Sequence, residues 1–93
     1  MDRLTRMLGN NEYIADDLTL NHVENGYTGE AITRLAKFEN IYEDLIASQN
    51  QIPKELETLR NEGKTKSVRF RELMVTKMTN TNIIDLFKTY GLK

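Results

Sequence analysis

Apolar side chains recur through the middle third of this sequence at the alternating three- and four-residue spacing of a helical seam. The eight positions of this seam are Leu35, Phe38, Tyr42, Leu45, Gln49, Ile52, Leu56 and Leu59, and Gln49 is its one amide. Such a heptad repeat aligns all eight side chains along one side of an α-helix and is typical of coiled coils. The pattern predicts a long helix over residues 29–62, which Gly63 ends because glycine readily takes a left-handed conformation.

Pro53 lies inside this predicted helix. An interior proline removes one backbone hydrogen bond and costs about 3 kcal/mol. The helix therefore either kinks near Pro53 or splits into helices of about residues 30–49 and 53–62. Because the heptad phase is unchanged across the proline, we expect a kinked but continuous helix.

Two shorter helices are predicted after Gly63. The first covers residues 66–79, and Thr79-Asn80-Thr81 is expected to end it, since these residues favour turns over helix interiors. The second covers residues 82–90, where Asn82 with Asp85 three positions later resembles a capping box.

The first 28 residues have no helical periodicity of comparable length. Turn chemistry at Gly9-Asn10-Asn11 and Glu24-Asn25-Gly26 surrounds two short apolar pieces, Tyr13-Ile14-Ala15 and Leu18-Thr19-Leu20, which fit either brief strands or extended segments lying on a helix. The spacing of Leu4, Met7 and Leu8 also allows a short first helix. We therefore predict a single domain over residues 1–93 that is all-α, or mostly helical, with an irregular segment at residues 1–28.

The seam is longer than the first predicted C-terminal helix can cover, so its N-terminal part needs cover from the first 28 residues, from the last helix or from another copy. A helix over residues 66–79 that folds back at Gly63 reaches Ile52 to Leu59 but not Leu35 to Leu45. Burying each large apolar side chain stabilises the protein by roughly 1.5–3 kcal/mol, so an exposed stripe is unfavourable. The sequence predicts a homodimer that packs through the seam; an intramolecular three-helix bundle is the alternative.

Charge is distributed unevenly along the 93 residues. Residues 1–62 contain 6 basic and 12 acidic residues, a balance of −6, whereas residues 63–93 contain 7 and 2, a balance of +5. The candidate binding residues are the basic group Lys64, Lys66, Arg69, Arg71 and Lys77. This group can bind phosphates of nucleic acid or a nucleotide, or it can pair with the acidic half of the same or another copy.

The residues that most enzymes and metal sites need are scarce. The chain has no cysteine and one histidine, His22, and it contains no phosphate-binding glycine motif. We therefore predict a non-enzymatic protein without a metal or cofactor. Apolar runs are too short for a membrane span, and we expect a cytoplasmic location.

The N-terminal half resembles small proteins encoded by prophages of Gram-positive bacteria. The resemblance rests on Met1-Asp2-Arg3-Leu4-Thr5, on Gly9 and Tyr13, and on the element from Ala31-Ile32 through Leu35-Ala36 to Phe38-Glu39. Phe38 and Asn40 replace the tyrosine and aspartate that are usual in that element. The resemblance implies a phage origin and carries over no functional residues.

Small phage proteins without catalytic residues are often inhibitors of host defence, and anti-CRISPR proteins are one such class. The leading hypothesis is a phage-type protein that binds a bacterial host-defence protein or ribonucleoprotein and inhibits it through protein–protein contacts. One alternative is a binder of nucleic acid or of a cyclic-nucleotide signal that uses the basic group. Another is an adaptor in phage assembly.

Overall fold

The computed structural model describes residues 1–92, in which two β-hairpins are followed by two helices. Helices account for 62% and strands for 16% of the structure, so the fold is mixed α/β and the all-α prediction is wrong. The contacts divide the chain into two units, which are residues 1–40 and the residues from Ile41 onward. The first unit contains both hairpins and the start of the long helix; the second contains the helical pair.

The first hairpin pairs strand β1 (Thr5–Gly9) with strand β2 (Glu12–Ala15) in antiparallel register. Asn10 and Asn11 form the two-residue loop with φ of 51° and 64°. Two consecutive positive φ values match the twist of the flanking strands, and asparagine tolerates them better than most residues. Of the two short apolar pieces, Tyr13-Ile14-Ala15 lies in β2, as one of the two possibilities, whereas Leu18-Thr19-Leu20 forms no strand and lies at a 3-10 turn. The chain at Met7 and Leu8 is strand β1 and not the short helix that their spacing allows.

A second hairpin follows a single 3-10 turn at Asp17–Thr19. Strand β3 (Asn21–Val23) pairs with strand β4 (Gly26–Thr28), and Asn25 turns the chain with φ of 73°. Strands of three residues are too short to show an alternating pattern, and for this reason the sequence did not distinguish them from irregular chain.

Helix α1 (Glu30–Asn61) is continuous through Pro53, and the alternative split into two helices is not observed. Ile52 and Leu56 flank the proline and are 4% and 1% exposed. Their burial stabilises the helix on both sides of the missing hydrogen bond. The helix ends as predicted, with Gly63 at φ of 70° and the Lys64 amide donating to the Leu59 carbonyl over 2.8 Å.

Helix α2 (Val68–Thr89) is one helix of 22 residues, so the prediction of two short helices over 66–79 and 82–90 is wrong. Ser67 caps its start by accepting a hydrogen bond from the Phe70 amide over 3.1 Å. The expected break at Asn80 does not occur because this side chain faces α1, is 8% exposed and donates to Ser48 Oγ over 3.1 Å. Tertiary contacts thus override a local preference for a turn.

The core of the second unit is small. Ile52, Leu56 and Leu73 form a buried cluster, against which Leu59 and Phe70 pack. At about 1.5 Å per residue, α2 is long enough to extend beyond this cluster toward the middle of α1. There Tyr42 stacks on Phe87 with ring centroids 5.7 Å apart. Phe87 belongs to the predicted last helix, so Tyr42 is covered in one of the three ways that the sequence left open.

Only part of the seam predicted for self-association is exposed, because α2 of the same chain covers the rest. Ile52 and Leu56 are buried against α2 of the same chain, and Gln49 donates to the Lys77 carbonyl and to Thr81 Oγ1. Leu35 and Phe38, by contrast, are 55% and 48% exposed.

We expect Gly29→Ala to lower the free energy of unfolding of the first unit by at least about 1–2 kcal/mol. Gly29 has φ of 126°, and an added Cβ collides with the Thr19 carbonyl oxygen. Amide exchange in β4 and thermal unfolding measure the effect. Gly26→Ala is the control, because nothing lies within 4 Å of a Cβ there; equal effects of both substitutions contradict the prediction.

We expect Asn80→Ala to destabilise the helical pair by about 1–2 kcal/mol relative to Asn82→Ala, since it removes a buried hydrogen bond. Both substitutions raise helix propensity equally, and Asn82 is exposed, so the difference isolates the contact with Ser48. Urea denaturation followed by circular dichroism measures both variants. Indistinguishable midpoints exclude a stabilising role for the hydrogen bond.

Candidate protein-interaction surface

Two members of the predicted basic group lie in the turn between the helices. Lys64 and Lys66 precede α2, and both are exposed. The ammonium of Lys64 lies 3.2 Å from Glu62 Oε1. This exposed ion pair contributes little stability, but it offsets part of the positive charge of the turn.

Arg69 lies in the first turn of α2 and faces α1. Its guanidinium Nη2 lies 3.3 Å from Glu55 Oε2 and donates a hydrogen bond to it. The contact links the basic segment to an acidic residue of α1, as the self-pairing alternative expects. Arg69 is therefore less available to an external phosphate than its place in the sequence indicates.

Arg71 and Lys77 point in different directions from Arg69. Consecutive helical residues are about 100° apart, so Arg71 lies about 160° around α2 from Arg69. Lys77 is exposed and lies close to the side of α2 that faces α1, where its carbonyl accepts from Gln49. The structure thus spreads the five predicted residues over the turn and several faces of the helix.

An apolar stripe runs along the side of α2 that points away from α1. We define this outer face by its aligned members, which are Val68, Arg71, Val75, Asn82 and Leu86. Val68, Val75 and Leu86 are 66%, 58% and 56% exposed. Their spacing of 7 and 11 residues returns to nearly the same helical angle, so the three side chains line up.

A shallow depression of about 440 Å³ accompanies the N-terminal half of this outer face. Its lining residues are Val68, Arg69, Arg71, Glu72, Val75 and Thr76. An exposed apolar floor with charged groups at its margin is the composition of many protein–protein contact surfaces. The sequence identified Arg69 and Arg71 but not the valines, although their seven-residue spacing was visible.

The first unit has a separate groove of about 550 Å³ between its N-terminal residues and the start of α1. Leu4, Leu35 and Phe38 contribute apolar surface, and Arg3 and Arg34 contribute charge. Both arginines already have partners: Arg3 lies over the Tyr13 ring at 5.8 Å, and Arg34 donates to the Asp2 carbonyl. The exposed seam residues Leu35 and Phe38 thus line this groove.

His22 lies on β3, and its ring meets that of Tyr27 edge-on with centroids 4.9 Å apart. Within residues 1–92, no three histidine, cysteine or acidic side chains are grouped in a way that could hold a metal ion. Over the same residues, neither helix is long and apolar enough to cross a membrane.

Comparison with known proteins returns no relationship for this chain: no family model, no curated protein and no solved structure matches it.

Proposed function

We propose that this chain is a non-enzymatic, cytoplasmic binding protein that acts through protein–protein contacts and inhibits a bacterial host-defence factor. The observation that carries the binding role is the outer face of α2. Three of its apolar side chains are more than half exposed and aligned over five turns of helix. An exposed apolar stripe with charged groups at its margin is typical of surfaces that contact another protein.

The outer face also indicates the chemistry of its partner. Arg71 lies within the apolar stripe between Val68 and Val75, and Glu72 borders it. We expect the partner to present an apolar groove or helix with a carboxylate that accepts a hydrogen bond from the Arg71 guanidinium. Arginine at a protein contact pairs well with carboxylates.

A protein partner is favoured over nucleic acid by the placement of the basic side chains. Lys64 and Arg69 are within 3.3 Å of carboxylates of the same chain. Arg69 and Arg71 border one depression, but Lys77 lies toward α1, so the charges do not form the continuous basic stripe that follows a phosphate backbone. The choice of a host-defence factor as the target follows from the prophage-like N-terminus.

We expect Val75→Glu to reduce capture of the target at least tenfold. The new carboxylate is costly to bury in the apolar stripe, and it repels the carboxylate that we expect on the partner. The tagged full-length chain is used to capture proteins from a bacterial host lysate, with nuclease-treated and untreated samples in parallel. Quantitative mass spectrometry measures the bound protein.

Gln51→Glu serves as the matched control, since it adds the same charge at an exposed position of α1. Circular dichroism verifies that both variants keep their helices. If wild type captures no protein in stoichiometric amount, or if capture is lost after nuclease treatment, the proposed function is wrong. If both variants weaken capture equally, the outer face is not the contact.

A further inference from the structure

The first unit presents a leucine that is almost entirely exposed, although the chain around it is regular. Leu18 is 97% exposed and lies in the middle of the 3-10 turn Asp17–Thr19. The amide and the hydroxyl of Thr19 both donate to the Asp16 carbonyl, over 2.9 and 2.7 Å. The turn therefore holds the Leu18 side chain out into solvent from a hydrogen-bonded backbone.

The turn is also packed against the start of α1. The Thr19 carbonyl lies so close to Gly29 that a Cβ at this glycine would collide with it. A protrusion whose backbone is already fixed loses little conformational entropy when a partner covers it. We name Asp17 and Leu18 together the Leu18 knob.

The carboxylate beside Leu18 has no partner of opposite charge. Oδ1 of the preceding Asp16 lies 3.7 Å from Arg6 Nε, so that residue is paired within the hairpin. Among residues 1–92, Asp17 forms no ion pair. The Leu18 knob thus combines an exposed apolar side chain with an unmatched negative charge.

The groove of about 550 Å³ in the same unit has a complementary character. Leu4, Leu35 and Phe38 give it apolar walls, and its lining includes two arginines but no acidic residue. Leu35 and Phe38 are about half exposed, at 55% and 48%. A leucine side chain that enters the groove removes apolar surface from water on both partners.

Arg3 supplies the unmatched positive charge of this groove. Arg34 is partly neutralised, because its Nη2 lies 3.5 Å from Glu30 Oε1. Arg3 has neutral partners instead: its Nε donates to the Thr5 carbonyl over 2.9 Å, and its guanidinium lies over the Tyr13 ring. No carboxylate within residues 1–92 forms an ion pair with it. Its Nη groups are suited to donate to an incoming carboxylate.

The Leu18 knob and the groove match each other in both apolar surface and charge, which favours this pairing over a neutral partner. The exposure of Leu18 shows that the knob does not enter the groove of its own chain. Both features adjoin the first turns of α1, since Thr19 lies against Gly29 and the α1 part of the groove begins at Ala31. A two-fold rotation can therefore bring each knob to the other copy's groove.

We infer that a second copy of this chain packs on the first unit, with Leu18 of each copy seated in the groove of the other and Asp17 paired with Arg3. Of the seam that the sequence predicted for self-association, this contact includes Leu35 and Phe38. It uses no residue of the outer face of α2.

Light scattering on the full chain at rising concentration tests the inference. We expect the wild-type mass to rise from 10.8 kDa to twice this value. Leu18→Ser is expected to raise the dimer Kd at least tenfold, because both contacts lose their apolar side chain. A residue exposed to 97% contributes little to the fold, so this variant remains folded. Glu24→Arg, at an exposed position in the other hairpin, is expected to leave the Kd unchanged.

An exchange of charges tests the pairing of Asp17 with Arg3. Asp17→Arg and Arg3→Asp are each expected to raise the Kd at least tenfold, since like charges then meet in both contacts. An equimolar mixture of the two variants is expected to regain the dimer, because every knob then meets a groove of opposite charge. Circular dichroism verifies that both variants keep their helices. A purely structural role of either residue gives no such rescue.

A wild-type chain that remains at 10.8 kDa at millimolar concentration overturns the inference. It is overturned as well if the mixture of folded Asp17→Arg and Arg3→Asp variants stays monomeric, or if Glu24→Arg weakens the dimer as much as Asp17→Arg. Growth beyond two copies excludes the two-fold arrangement. Target capture is measured through Val75 on α2, so the proposed function stands or falls separately.

Discussion

The packing of α2 against residues 52–59 of α1 is the interaction on which the second unit depends. Leu56 is 1% exposed, and Ile52 and Leu73 complete a buried cluster around it. This contact stabilises α1 across Pro53, orients the polar residues next to the cluster, and determines which sides of each helix remain outside. The surface that we assign to target binding is a consequence of this one pairing.

A polar layer next to the cluster gives the pairing its register. Asn80 donates to Ser48, and Gln49 donates to Thr81 Oγ1 and to the Lys77 carbonyl. Sliding α2 by one turn breaks all three hydrogen bonds, whereas apolar contacts alone tolerate such shifts more easily. The carbonyl Oε1 of Gln49 is buried without a hydrogen-bond partner among the described residues, so the layer is not fully satisfied. The polar layer thus contributes more to the register of α2 on α1 than to the free energy of folding.

The sequence predicted the long helix because a heptad pattern of eight positions is a strong, long-range signal. It failed at Asn80 because the local turn preference of Thr79-Asn80-Thr81 says nothing about Ser48, which is 32 residues away and satisfies that side chain. It left the hairpins unresolved because strands of three to five residues are too short to show a clear alternation of apolar and polar positions, although asparagine turns mark where the chain reverses. Within the candidate interaction surface, the clustering of basic residues in the sequence pointed to Arg69 and Arg71. Separating a paired arginine from an exposed one required the position of Glu55.

The place of Pro53 affects how the chain reaches its structure during synthesis. Residues of α1 leave the ribosome before α2, and at that stage nothing covers Ile52 and Leu56. A helix with a proline in its interior is weak in isolation, so the middle of α1 is expected to form fully only when Leu73 has emerged and docked. The two helices of the second unit then fold as one cooperative step, and a nascent chain stalled near Gly63 exposes the seam to chaperones.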